Sequence, residues 1–222
     1  MAHNELQAIM SILTTEDRHH GTAAGPPPVV TVSRDHGAGG EAIAAALAER
    51  LGVRCYDRDI LDRVVASATS DPALMRVLDE RAPEHSGMFL YTTLLGRDDP
   101  VPEYQRLLTR VIHGIAAHGG VILGRGAHLL LRGEAAFRVC IVGSEGACAR
   151  RLAGGNEAAA TALRDEVRAV NARRTAYLRD LFKVERDDPR HYDLTLNTDR
   201  AGDPATVAAV IDAARTAMPH KA

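Results

Sequence analysis

The chain of 222 residues is 45% hydrophobic and 25% charged, the balance of an ordinary folded domain, and this excludes a chain disordered throughout. Lys and Arg number 27 against 29 Asp and Glu, a net charge of −2, which argues against a binder of nucleic-acid polymers, whose domains carry a basic excess. No apolar run reaches the roughly 18 residues of a membrane span, and three cysteines without a C-x-x-C pair offer neither a disulfide framework nor a zinc site, so a cytoplasmic protein with no membrane contact and no resident metal is expected.

In chain order, Leu6, Ile9, Met10, Ile12 and Leu13 fall at near-helical spacing. No basic start leads into an apolar core, so no secretory signal is expected. Residues 16–28 read as a linker ending in three prolines, and residues 1–28 form an N-terminal arm. His19 and His20 in that linker have no ligand partner at metal spacing and read as a solvated pair.

The pattern changes at Val29. Val29–Val32 is a β-branched run, as in a strand buried on both faces. A glycine-bearing loop, Ser33 to Gly40, leads into a strong helix over 41–51 that Gly52 stops. Val53–Tyr56 is a second strand, completing a βαβ unit. Residues 57–118 are predicted mainly helical, with apolar faces at Ile60–Val65, Leu74–Leu78 and Leu107–Ala116 and a charged loop from Gly96 to Pro102. A third strand covers 120–123, followed by Gly124-Arg125-Gly126, and a fourth covers 137–142. A helix runs from the N-cap Ser144 to Leu152, and an arginine-studded helical stretch covers 156–182. Tyr192–Leu196 is the fifth strand and Pro204–Met218 a closing helix. Strands alternating with helices imply an α/β domain over 29–218, a three-layer parallel sheet.

The loop after the first strand carries the functional signal. Backbone N–H groups at a helix N-terminus favour an anion, usually phosphate, and glycine lets the backbone approach it. Gly37-x-Gly39-x-x-Ala42 satisfies a dinucleotide fingerprint, with Asp57 near the place of a ribose-binding acid. That reading implies an NAD(P)-binding protein. The three residues Arg34, Asp35 and His36 before the first glycine make the loop long for that turn and closer to a P-loop. In the P-loop frame, however, Gly40 stands at the lysine position, and Glu41 and Ala42 replace the magnesium-binding hydroxyl.

Further blocks follow in order: Tyr56-Asp57-Arg58-Asp59-Ile60, Val121 to Ala127, Arg173-Arg174-x-x-Tyr177, and Asp188-Pro189-x-x-Tyr192-Asp193-Leu194-x-x-Asn197-Thr198. With Val30 to Gly40 they resemble the cytidylate kinase-like family of P-loop nucleoside-monophosphate kinases. The family's loop typically reads S-R-x-x-G-x-G-G without lysine, so the departure from Walker A resembles a family trait.

The resemblance implies transfer of the ATP γ-phosphoryl group, with Mg2+, to CMP, dCMP or a similar nucleotide. It implies a P-loop NTPase-like fold of five parallel strands, a helical monophosphate-binding insertion at about 57–118 and a helical lid at about 150–190. Arg34 to Glu41 (Arg34, Asp35, His36, Gly37, Ala38, Gly39, Gly40, Glu41) would hold the donor phosphates. Arg34 either supplies the missing lysine charge or forms a salt bridge with Asp35 or Asp57. Arg125 would contact the acceptor phosphate; Gly126 stands where the family has an acid. Asp57 and Asp59 would hold the acceptor sugar, or a metal through water, unless one is a helix N-cap. Arg173, Arg174 and Lys183 are the lid cations expected at the transferring group; the remaining arginines there read as a solvated face. Asn197 and Thr198 would border the adenine. A homodimer with a lid arginine acting across it stays open, as does a non-catalytic nucleotide-binding module of the same fold.

Overall fold

The computed structural model describes residues 27–62 and 103–218. The expected helix in the N-terminal arm, the His19–His20 pair, and the Leu74–Leu78 face and Gly96–Pro102 loop of the insertion lie outside the described residues.

The first βαβ unit forms as expected. Strand β1 (Val29–Arg34) leads through the glycine loop into helix α1 (Gly40–Leu51), which ends at Gly52 in the left-handed region. Strand β2 is only Cys55–Tyr56. A helical turn at 58–62 follows. Helix α2 (Glu103–His118) then returns the chain to strand β3 (Gly120–Leu123). A short helix α3 (Ala127–Leu130) precedes strand β4 (Ala136–Val142). Helices α4 (Glu145–Leu152) and α5 (Glu157–Phe182) come next, then a 3-10 turn at Pro189–His191, strand β5 (Leu194–Asn197) and helix α6 (Pro204–Ala217). Ser144 caps α4 as its sequence predicts, accepting from the Ala147 N–H at 3.3 Å. Strand β5 starts two residues later than expected. Tyr192 is instead stacked on His128, and Asp193 turns its carboxylate to Arg138 at 2.6 Å.

All five strands are parallel, in the order β2-β3-β1-β4-β5. Strand β1 lies between β3 and β4, with Val30 beside Val121 on one side and Phe137 on the other. This order corrects the dinucleotide reading. A nucleotide-binding half of that kind needs β2 beside β1, so that the acid at the β2 tip reaches a ribose on the glycine turn. Here β3 intervenes, placing Asp57 two strand spacings from β1, about 9.6 Å.

Alternation along the central strands divides the core. Val30, Val32, Val121 and Leu123 face α1 and α6, packing with Ile43, Leu47, Val207 and Ile211. Val29 and Ile122 face the other way, onto Leu107, Leu108, Val111, Ile112 and Ile115 of α2. Those five recur at helical spacing and are fully sequestered. Among the described residues both faces of the sheet are covered, and the loops after β1, β3, β4 and β5 gather at its C-terminal edge, where α/β sheets place ligands.

Ile112→Ala removes a side chain with no exposed surface and is expected to cost about 3 kcal/mol. Val210→Ala on the exposed face of α6 is expected to cost less than about 0.5 kcal/mol. Urea titration of the two variants checks the contrast.

Candidate active site

The glycine loop is held by partners on its outer side. Arg151 of α4 donates one guanidinium N–H to the Gly37 carbonyl and another to that of Thr198, at 2.9 Å. The buried Thr198 hydroxyl lies 2.9 Å from the Ala38 carbonyl, to which it donates, and 3.1 Å from that of Val142. In a trans peptide the carbonyl and the following N–H point opposite ways, so fixing the Ala38 carbonyl on Thr198 turns the Gly39 N–H to the other side. Gly39 is the N-cap of α1, with φ of 80° and no capping side chain. The first-turn N–H groups of α1 have no intrahelical acceptor, and the positive end of the helix dipole adds to them. Gly37, at φ of 77°, packs so tightly on α4 that a Cβ there would lie 2.7 Å from the Cys148 carbonyl oxygen. Two needs therefore meet in this loop: close packing behind it and donors in front of it.

Arg34 explains Gly40. A Cβ on Gly40 would come within 2.6 and 2.7 Å of the Arg34 Cβ and Cγ. The arginine stem thus runs through the space that a side chain at the lysine position would enter. The guanidinium ends beside Gly124, where a Cβ would lie 2.6 Å from Nη1. Its Nε donates to Glu41 Oε1 at 2.9 Å. Arg174 of α5 joins the group, donating to the Arg34 carbonyl at 2.8 Å and lying 3.8 Å from the Glu41 carboxylate. Burial and the neighbouring Arg34 charge push the Arg174 pKa down to about 10. Burial would raise that of Glu41, but the Arg34 charge and hydrogen bond outweigh it and the carboxyl is held below its ordinary range.

Asp35 and His36 serve the backbone and α5. Asp35 forms a buried ion pair with Arg186 and accepts from the Gly143 N–H at 3.1 Å. Burial opposes the Arg186 charge, yet Asp35 raises its pKa above the ordinary value. The His36 N–H donates to Asn171 Oδ1 at 2.8 Å, and its ring meets Glu166 at 3.1 Å. These contacts, with Arg174, dock α5 on the loop. Beside it lies a cavity of about 630 Å3 whose walls include Asp35, Gly143, Asn171, Arg186, Tyr192 and Thr195.

The other expected residues scatter. Arg125, in the left-handed region at φ of 53°, pairs with Asp62 and lies 5.7 Å from the Tyr177 ring centre. An acid at position 126 would require the Phe182 ring to move, since a Cβ there would lie 2.5 Å from it, and would be strained by the φ of 73°. Asp57 caps the turn after β2, accepting from the Ile60 N–H at 2.9 Å, and Asp59 is exposed two residues on. Arg173 is exposed, whereas Lys183 ends α5 and donates to the Asp180 carbonyl at 2.9 Å. Asn197 is exposed and accepts from the Asp199 N–H at 2.8 Å. Neither Asn197 nor Thr198 lines the cavity. The structure therefore gathers Arg34, Gly37–Glu41 and Arg174, places Arg125 on a second patch, and puts Lys183 and Asn197 on contacts of their own.

Sequence reasoning missed Arg151, Asn171, Arg186 and Asp62. Arg186 stood in a run of mixed charge; the signal available was its place just before the Asp188-Pro189 block. Arg151 lies one helical turn past Cys148, the residue that demands glycine at position 37, but that register appears only in three dimensions.

A central parallel strand, a glycine loop leading from its C-terminal end into a helix N-terminus, and arginines folded onto that loop are the arrangement of a kinase-like α/β protein of P-loop type. Residues 29–200 match the cytidylate kinase-like family, and the chain belongs to it. No functionally curated protein matches it. Among solved structures, it resembles an uncharacterized protein from Eubacterium ventriosum ATCC 27560 at 20% identity and a TM-score of 0.65, covering 86% of this chain and 99% of that one. It also matches shikimate kinase from Bacteroides thetaiotaomicron at 14% identity and a TM-score of 0.45, covering 86% and 97%.

Two glycines, one in the loop before α1 and one at the helix's end, share a positive φ but differ in what surrounds them. Gly37→Ala combines a positive φ with a clash against backbone and is expected to cost about 3 kcal/mol. Gly52→Ala has the positive φ but open space and is expected to cost about 1 kcal/mol in the same denaturation assay. Under β1, the ring of His128 lies 3.2 Å from the Ser33 hydroxyl. Burial, helped by His191 and Arg138, pushes its pKa from 6.5 down to about 3. The unfolded chain takes up a proton in that window that the folded chain refuses, so stability falls as pH drops through it. His128→Gln is expected to flatten the slope of unfolding free energy against pH over the same range.

Proposed function

We propose that the protein is an ATP-dependent nucleoside-monophosphate kinase acting on CMP, dCMP or a similar acceptor. The observation that carries this reading is Arg34, whose stem takes the space a lysine at position 40 would need and whose guanidinium stays at the loop. In a Walker loop the lysine reaches the outer donor phosphates as a point charge. Arg34 supplies charge at the same loop in a fork that fits phosphate oxygens. The N–H groups from Gly39 into the first turn of α1 take further phosphate oxygens, and Arg174 adds a second guanidinium from α5.

The chemistry needs placement and charge neutralisation more than covalent assistance. An oxygen of the acceptor phosphate attacks the γ-phosphorus, the bond from that phosphorus to the β–γ bridging oxygen breaks, and ADP leaves with the electron pair. Arg125, after β3, meets the acceptor phosphate by exchanging Asp62 for it. Arg173, exposed on α5, reaches the transferring group only if α5 turns or a second chain approaches. Mg2+ takes most of its ligands from nucleotide phosphates and water and asks one or two carboxylates of the protein. Asp57, which caps the Ile60 N–H, and Asp59 stand at the end of β2, two strand spacings from β1, so they do not fit as direct ligands of an ion at the glycine loop. Such an ion would be held by phosphate and water oxygens and would neutralise charge on the donor phosphates. Among the described residues, no helix is long and apolar enough to cross a membrane.

A second reading, nucleotide binding without turnover, is favoured by Glu41 standing where a Walker loop places its magnesium-binding hydroxyl. Purified protein with Mg-ATP and each of CMP, dCMP, UMP, AMP and GMP separates the two. Transfer to at least one acceptor is expected; ATP binding with transfer to none would leave only the second reading. Arg34→Ala is expected to lower turnover about 10²–10³-fold, the effect of removing one donor from a preorganised charge site. Arg34→Lys should recover part of it, with both variants melting near the unaltered protein.

A further inference from the structure

We propose that Glu41 is an internal counter-anion of the phosphate cradle, which admits polyphosphates by displacement and disfavours single phosphates. This rests on the reading of the glycine loop as a phosphate site.

Glu41 lies in the first turn of α1, where the helix dipole favours a negative charge. Two guanidiniums converge on its carboxylate, Arg34 at 2.9 Å and Arg174 at 3.8 Å. These are the cations that the proposed reaction assigns to the donor. A phosphate and the carboxylate on the same guanidinium would repel each other, so one must leave. The partners are not equally free to move. The Arg34 side chain is 12% exposed and its stem is trapped against Gly40, whereas the Glu41 side chain is 55% exposed. Glu41 is therefore the member that swings out, and Arg34 stays to receive the incoming oxygens.

The exchange sets a threshold. One carboxylate is replaced at little gain by an anion that offers one phosphoryl group. A diphosphate or triphosphate brings more charge and more oxygens than the carboxylate can match, and it reaches the first-turn N–H groups as well. A kinase that must keep a monophosphate acceptor out of the donor cradle gains from such a threshold. Glu41 then acts as a specificity-determining residue through Arg34 and Arg174.

The test is calorimetry with metal-free pyrophosphate and with orthophosphate on the full chain, comparing the unaltered protein with Glu41→Gln. Glu41→Ala is run in parallel in case either variant fails to fold. Removing the charge is expected to tighten pyrophosphate about fivefold and orthophosphate by more, narrowing the preference between them. Melting adds a second readout. Without anion the variant should melt below the unaltered protein, and saturating pyrophosphate should close that gap. A merely structural role for Glu41 predicts the same deficit with and without anion. Folded variants that bind pyrophosphate no tighter than the unaltered protein overturn the counter-anion role and leave the phosphate site standing. Pyrophosphate binding to none of the proteins overturns both.

Discussion

The site depends on an exclusion: the stem of Arg34 and a side chain at position 40 cannot share one volume. The last residue of β1 points over the start of α1, so the helix must begin with glycine, and the charge at this corner comes from the strand end. A lysine at position 40 would have to evict the arginine. The two solutions are alternatives, and a sequence that adopts one loses the reason to keep the other. The missing lysine and the extra glycine are thus one structural event.

Around that corner the loop is clamped by contacts that consume its carbonyls and its acidic residue. Arg151 and Thr198 take the Gly37 and Ala38 carbonyls, and Arg186 and the Gly143 N–H take Asp35. Breaking one partner of the buried Asp35–Arg186 pair would strand a charge away from water, which is far costlier than losing a surface pair. These clamps hold the loop's N–H groups in place in advance, the preorganisation on which the proposed phosphoryl transfer would draw.

Much of the scaffold was legible in the chain. The run Val29–Val32, the apolar stripe Leu107–Ile115, the Ser144 cap and the Gly52 stop each express a local rule, and the elements stand where those rules put them. Strand order was not legible locally: whether β2 or β3 lies beside β1 depends on which crossover packs, and the fingerprint Gly37-x-Gly39-x-x-Ala42 fits both orders. The site was legible where chemistry sits on consecutive residues and opaque where it spans the fold. Arg34 and Gly40 could be named from the sequence, but the reason for Gly40 is a contact between a strand end and a helix start. Asp35 and His36 show the limit of reading a loop as a list of ligands. Lying between Arg34 and Gly37, they are committed to α5 and to Arg186, neither of which is near in sequence. Asp57 shows the same limit from the other side, a cap where a sugar-binding acid was also open.

Helix α5 spans 26 residues, about 39 Å at 1.5 Å per residue. Its middle touches the glycine loop through Glu166, Asn171 and Arg174. Its far end sets Tyr177 against Arg125 and Phe182 against Gly126. A single stiff rod therefore rests on the loops after β1 and β3 at once. Its seat at one loop is thereby tied to its seat at the other: a substitution that lifts the helix from the glycine loop also bears on the packing around Arg125 and Gly126.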